Sequence, residues 1–202
     1  YATNDALNSL NAGQVVTDSF TVATTDGGSA SVTVTITGSE DIATLTSATK
    51  ALTETNAVLS TSGQLTLTDL DATAATVVAQ NNQAGTYGKF TIDAAGNWSY
   101  ATNDAVNQLN AGQVVTEVFQ VATSDGGAAS VTVNITGSQD VATLTSDTKA
   151  LTETNAVLST SGQLVLADLD ATAAKVVAQN NQAGTYGKFS IDAAGQWSYV
   201  SN

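Results

Sequence analysis

The sequence contains no cysteine, methionine, histidine, proline or arginine, and only 5% of its 202 residues are aromatic. Without cysteine there is no disulfide and no thiolate nucleophile, and without histidine there is no imidazole base or soft-metal ligand. Any metal bound here must be held by oxygen. Eighteen acidic residues stand against five lysines, a net charge of −13. A phosphate backbone needs cations, so nucleic acid is excluded as a partner, and so is an anionic membrane surface. No apolar run reaches the roughly 20 residues that cross a bilayer, and no basic-then-apolar leader opens the chain. The sequence therefore reads as an internal, soluble stretch that does not insert into membranes.

What is present is Val, Ala, Leu and Ile spread among Thr, Ser, Asn and Gly, a mixture that favours short strands and turns over long helices. Laid on itself at an offset of 99 residues, the chain matches end to end without a gap. Of the 103 overlapping positions 18 differ, as in ATNDALNSLNAGQVV at 2–16 against ATNDAVNQLNAGQVV at 101–115. A period near 100 residues is too long for a solenoid turn and suits a string of Ig-sized domains.

Within one period, apolar residues alternate from Val114 to Thr123 and from Ser130 to Thr136 around a Ser-Asp-Gly-Gly turn at 124–127, which predicts a β-hairpin. A second hairpin is GKFTIDAAGNWSY at 88–100, where Asp93-Ala94-Ala95-Gly96 turns the chain. Strands near Gln64–Thr68 and Thr73–Ala79 and an extended piece around Ala43–Thr53 bring the expected count to seven. Residues 102–112 predict a short helical turn ended by glycine. The expected fold is all-β: tandem Ig-like or cadherin-like seven-strand antiparallel sandwiches. The register that follows makes 1–41 the last two strands (F–G) of one repeat, 42–140 a complete repeat, and 141–202 the first five strands (A–E) of a following one. An alternative register, with units near 1–99 and 100–202, requires the GSED segment to cross a sandwich.

On the first register the acids sort by pole. Asp69 and Asp71, Asp93 and Asp125 fall in loops beside the linker pair Glu40 and Asp41, and Glu54 and Asp104 face Asp140, Asp168 and Asp170. Glu117 sits in mid-strand. Carboxylates a few ångströms apart at a wet surface repel by roughly 1–4 kcal/mol. Calcium, which takes six to eight oxygen ligands in loose geometry, would relieve this better than magnesium. Aspartate is also a turn residue, and surface acids keep β-edges unpaired, which accounts for single residues such as Asp93 and Asp125 without any ion.

The strings GTYGKFTIDAAGNWSY and LNAGQVVTEVFQVATSDGGAASVTVNITG resemble the VCBS repeat, found in long arrays in RTX-type bacterial adhesins, over the whole period and twice. The resemblance implies Ig-like or cadherin-like folds, cell-surface proteins exported by type I secretion, and calcium that rigidifies the linkers. Family linkers commonly read GTNDAP; at 38–42 and 137–141 the glycine and the aspartate are kept. Asp69/Asp71 and Asp168/Asp170 match the cadherin-like ligand pair, and Glu54 and Glu153 match its strand-A glutamate.

Catalysis fails on inventory, since no histidine or cysteine exists, and an active site repeated almost unchanged along an array is not expected. The favoured function is a structural extender of a large surface adhesin, for cell attachment or biofilm formation, kept unfolded in low-calcium cytosol and folded by calcium outside. The rival is a calcium-dependent carbohydrate- or protein-binding module using Trp98 and Tyr100, although the strand pattern places Trp98 and Trp197 in the core and Tyr87 and Tyr186 at its edge. The expected partners are neighbouring copies of the repeat. The end segments, being complementary halves, are also expected to pair between molecules.

Overall fold

The computed structural model describes residues 2–202 and is built of β-strands with two short 3-10 turns, Asp5–Ser9 and Asp104–Gln108. The strands before the first linker are β1 (Val15–Ala23) and β2 (Ser29–Thr37). Then come β3 (Thr44–Leu45), β4 (Ala48–Thr53), β5 (Ser60–Gln64), β6 (Leu67–Thr68), β7 (Gln80–Ala84), β8 (Gly88–Ile92), β9 (Asn97–Thr102), β10 (Val114–Ala122) and β11 (Ala128–Thr136). After the second linker follow β12 (Thr143–Leu144), β13 (Ser159–Gln163), β14 (Leu166–Ala167), β15 (Gln179–Ala183), β16 (Gly187–Ile191) and β17 (Gln196–Ser201).

The chain divides into two compact units. The first takes the chain up to Lys50, Ser60–Ala101 and Thr116–Asn134; the second takes Ala51–Leu59, Thr102–Val115 and Ile135–Asn202. In the first unit, β1 and β2 form an antiparallel hairpin, β3 pairs with β6, and a four-stranded sheet runs in the order β5-β9-β8-β7. Strands β10, β11 and β4 form a further sheet, in that order. The two larger sheets meet through aromatic rings, for Phe90 stacks on Phe119 with centroids 4.7 Å apart and Trp98 lies 6.2 Å from Phe90. Leu65, Ile92, Val121, Val131 and Val133 fill the space around them. Alternation supplies this core, since every second residue of β8 to β11 points inward. Gly63 is required under the indole, because a Cβ there would sit 2.9 Å from the Trp98 ring.

In the second unit, β12 pairs with β14, and a four-stranded sheet runs β13-β17-β16-β15. The rings of Phe189 and Trp197 lie 6.1 Å apart and are only half-buried. Val106, Leu109 and Ile135 are buried beside the turn at 104–108.

The structure corrects four expectations. Residues 73–79 form no strand: Val77 makes one isolated bridge, to Thr123, and the strand begins at Gln80. The donors of this segment go elsewhere, Thr73 N–H to the Asn11 side chain, Ala75 N–H to Asp69 and Thr76 N–H to Ser124 Oγ. The expected strand 64–68 is split into the end of β5 and the short β6. The turn at 104–108 is a 3-10 turn that ends at an extended Leu109, and Gly112, with φ of 76°, lies beyond it. Tyr186 is 79% exposed although Tyr87, whose backbone N–H donates to Glu117 Oε1, is half-buried.

Candidate functional site

The two linkers carry the same backbone-to-carboxylate scheme. At the first, Asp41 N–H donates to Asp71 Oδ2 at 3.2 Å, and Asp71 N–H donates to Asp69 Oδ1 at 3.1 Å. Ala43 N–H donates to Asp125 Oδ2, while the Thr123 hydroxyl donates to the other oxygen of Asp125. At the second, Asp140 N–H donates to Asp170 Oδ2 at 3.3 Å and Asp170 N–H to Asp168 Oδ1 at 3.4 Å. The Asp69–Asp71 and Asp168–Asp170 bonds are Asx turns, in which a short acidic side chain folds its own loop, and the remaining bonds reach from the linker to these loops.

Glu54 joins the second group. Ser138 donates to Glu54 Oε2 through its backbone N–H at 3.2 Å and its hydroxyl at 2.7 Å, and Glu54 N–H donates to the Thr136 carbonyl at 2.7 Å. Glu54 is 1% exposed, and Asp71, Asp140 and Asp170 are buried as well. One oxygen of each of these four carboxylates is buried without a hydrogen-bond partner: Glu54 Oε1, Asp71 Oδ1, Asp140 Oδ2 and Asp170 Oδ1. Buried acceptors of this kind cost about 1–3 kcal/mol apiece, more when charged. The ion pair observed among the described residues, Lys149 with Asp147 at 3.5 Å, lies outside both groups.

Burial and mutual repulsion shift the linker carboxylates. Asp140 is held above the ordinary aspartate value by burial, then by the charge on Glu54, with Asp170 and Asp168 adding to it against a hydrogen bond from Asn56. Glu40 is raised by desolvation and by the charges of Asp71, Asp125, Asp69 and Asp41. Asp125 and Asp93 shift the other way. The Thr123 hydroxyl and the Ala43 N–H lower Asp125, and Asn97, through its side chain and its N–H, lowers Asp93.

The structure thus brings together Glu40, Asp41, Asp69, Asp71 and Asp125 at one linker and Glu54, Asp140, Asp168 and Asp170 at the other. It leaves Asp93 in its own turn, bonded to Ala95 and Asn97, and Asp104 exposed at the start of the 3-10 turn. Glu153, the counterpart of Glu54, is exposed. Among the described residues, no group of three or more acidic side chains is already arranged to hold a metal ion. The donor set nevertheless fits a hard cation, being all oxygen, and its orphaned buried oxygens are what such an ion satisfies.

Sequence reasoning missed the neutral partners. Asn11 Oδ1 accepts from Thr73 N–H at 2.8 Å and the Ser9 carbonyl from Ala72 N–H at 3.0 Å. The second copy repeats this with Asn110 on Thr172 and Gln108 on Ala171. Gln139 differs from its counterpart Glu40, since its amide donates to Asp170 Oδ2 at 2.5 Å. The signal was in the sequence, for LNAGQ is identical in the two copies, but nothing local says what an exposed asparagine will bind. Trp98 and Tyr100 form no exposed aromatic platform of the kind the binding-module reading needs, since both lie in the core.

No protein-family model matches the chain, and no curated protein matches it at a significant level. The VCBS resemblance therefore rests on the residues quoted above. Among solved structures the chain is similar to the protocadherin GammaB4 extracellular domain, at 13% identity and a TM-score of 0.43 over 93% of this chain. It is similar also to PcdhgB3 EC1-4, at 13% identity and a TM-score of 0.42 over 94% of this chain. It spans 31% and 57% of the lengths of those two chains.

Proposed function

We propose that this chain is part of the extracellular stalk of a bacterial surface adhesin, built of repeated sandwiches whose linkers are stiffened by calcium. The single observation that carries the reading is the set of four buried carboxylate oxygens without donors, one at the first linker and three at the second. In the repeat register 42–140, each linker would be held by Asp69- and Asp71-type residues of the repeat that follows it, by its own aspartate, and by a Glu54-type residue of the repeat before. Calcium would supply two positive charges and several coordination positions to oxygens that otherwise repel one another. An ion bound only by the ordered linker stabilises that linker by mass action, turning beads on a flexible string into a rod. The sequence holds no histidine and no cysteine, and this reading assigns no catalytic role to the linker acids. Cell-surface location and type I export follow from the family resemblance alone.

Isothermal titration of the chelator-treated chain with calcium, alongside small-angle scattering, tests the proposal. Saturable binding with an increase in maximum dimension is expected, and both should weaken on Asp140→Asn with Asp170→Asn. No binding at millimolar calcium would overturn it, as would binding that leaves the scattering unchanged.

A further inference from the structure

We infer that the residue before each linker aspartate sets how strongly that linker depends on its cation: Gln139 meets with a neutral amide part of the need that Glu40 leaves to the ion. This rests on the calcium reading above and concerns how the two linkers differ within it. The copies keep the same acid at Asp41 and Asp140, Asp69 and Asp168, Asp71 and Asp170, Glu54 and Glu153, and Asp125 and Asp26. They part at one position, where Glu40 stands against Gln139.

The exchange alters donors as well as charge. The side-chain nitrogen of Gln139 carries two protons and reaches two acceptors, Asp170 Oδ2 at 2.5 Å and the Asp140 carbonyl at 3.0 Å. It thereby brings a second donor to a carboxylate oxygen that already takes the Asp140 N–H at 3.3 Å. Asp170 is buried, and its other oxygen, Oδ1, has no partner. At the first linker, Asp71 Oδ2 takes the Asp41 N–H at 3.2 Å, and Asp71 Oδ1 is left in the same way. The side chain before the aspartate is here a carboxylate, which at neutral pH accepts and does not donate. Glu40 therefore gives Asp71 no proton and adds one more negative charge to a group that already holds Asp41, Asp69, Asp71 and Asp125, whose charges reach it.

A hard cation binds more firmly where more anionic oxygens converge, and an oxygen already claimed by a donor is less free to serve it. The first linker is thus suited to tight binding and is poorly held without the ion. The second gives up affinity in return for order in the ion's absence. One side chain separates the two cases, so the calcium threshold of a linker can be set copy by copy in repeats that are otherwise nearly the same.

Amide hydrogen exchange, followed residue by residue in the 202-residue chain in chelator and through a calcium titration, tests this with Gln139→Glu and Glu40→Gln. Each position is compared with itself, so the different surroundings of the two linkers do not enter. In chelator, Gln139→Glu should speed exchange of the Asp140 amide by at least about tenfold, the worth of a hydrogen bond to a charged acceptor. It should also lower the calcium midpoint read at that amide by roughly tenfold, a change of the order that ligand charge makes in oxygen-ligand sites. Glu40→Gln should act in reverse at the Asp41 amide, slowing exchange in chelator and raising the midpoint. Unchanged protection in β8, β9, β16 and β17 shows that both variants keep the fold. The inference is overturned if Gln139→Glu fails to lower its midpoint, if Glu40→Gln fails to raise its own, or if the Asp140 amide exchanges equally fast in wild type and Gln139→Glu. Wild-type linker amides that do not respond to calcium at all overturn the calcium reading instead, and the chelator comparison still decides whether the Gln139 amide holds the second linker.

Discussion

Tyr100 donates its hydroxyl to Glu117 Oε2 at 2.5 Å inside the core, and the backbone N–H of Tyr87 binds the other carboxylate oxygen at 2.9 Å. The bond ties β9 to β10 across the sandwich beneath Phe119, whose ring lies 5.8 Å from that of Tyr100. A buried carboxylate is tolerable there because both its oxygens accept donors.

Removing the donor alone isolates the charge. Tyr100→Phe should cost about 1–3 kcal/mol, the penalty of one unsatisfied buried acceptor. Chemical denaturation of the two proteins measures it. Burial, followed by the hydrogen bond and the charge of Glu117, raises the Tyr100 ionisation above its ordinary value of 10.0. A folded-state pKa so raised gives stability that is complete below 10 and lost as pH rises beyond it. Ultraviolet titration should therefore show this phenol ionising only as the domain unfolds.

The linker carboxylates give pH dependence of two signs. Asp140 and Glu40 are raised in the folded chain, so they favour folding when protonated, and this contribution is lost as pH rises through their folded values. Asp125 and Asp93 are lowered; their contribution is present above the ordinary aspartate value of 3.8 and is lost as pH falls through their folded values. In chelator, mild acidification from neutral pH toward the carboxylate range should raise the melting temperature of the linker-proximal transition, and Asp140→Asn should remove part of that rise. In calcium the same step should lower it, since protons displace the ion.

Asn110 is a neutral latch between the LNAGQ segment and the loop that follows the second linker. Asn110→Ala should cost about 0.5–1.5 kcal/mol, the net worth of one hydrogen bond. Hydrogen exchange at the Thr172 amide should accelerate in the variant while the amides of β8 and β9 keep their protection.

Gly96 turns the β8–β9 hairpin with φ of 82°, and a Cβ there would meet the Leu65 carbonyl at 2.5 Å. Gly96→Ala should destabilise by at least about 1–2 kcal/mol, the cost of the left-handed conformation alone. The equivalent change at Gly126, where nothing lies within 4 Å of the added atom, should cost only the conformational part.

How much of this the sequence disclosed depended on the range of the interaction. Alternation marked the hairpins of β8–β9 and β10–β11 and the inward Trp98, Phe119 and Val131, since burial on one face leaves a period of two. The Asp93–Gly96 turn was legible because its acceptor and its glycine are local. Residues 73–79 were not, for their composition suits a strand but their donors are claimed by Asn11, Asp69 and Ser124, distant partners that no local pattern reveals. The linker acids were legible as candidates. Their separation into paired and orphaned oxygens was not, because that depends on whether Ser138 or a backbone N–H reaches a given atom.

The most direct measurement is the thermal midpoint of the 202-residue chain in excess calcium and in chelator, with Asp140→Asn/Asp170→Asn alongside. An ion at 100 times its dissociation constant adds about 2.7 kcal/mol, roughly 10–20 °C for a cooperative unit of about 100 residues. The account predicts a rise of that order for the wild type and a much smaller one for the double variant. A wild-type midpoint that is the same in both conditions would contradict it.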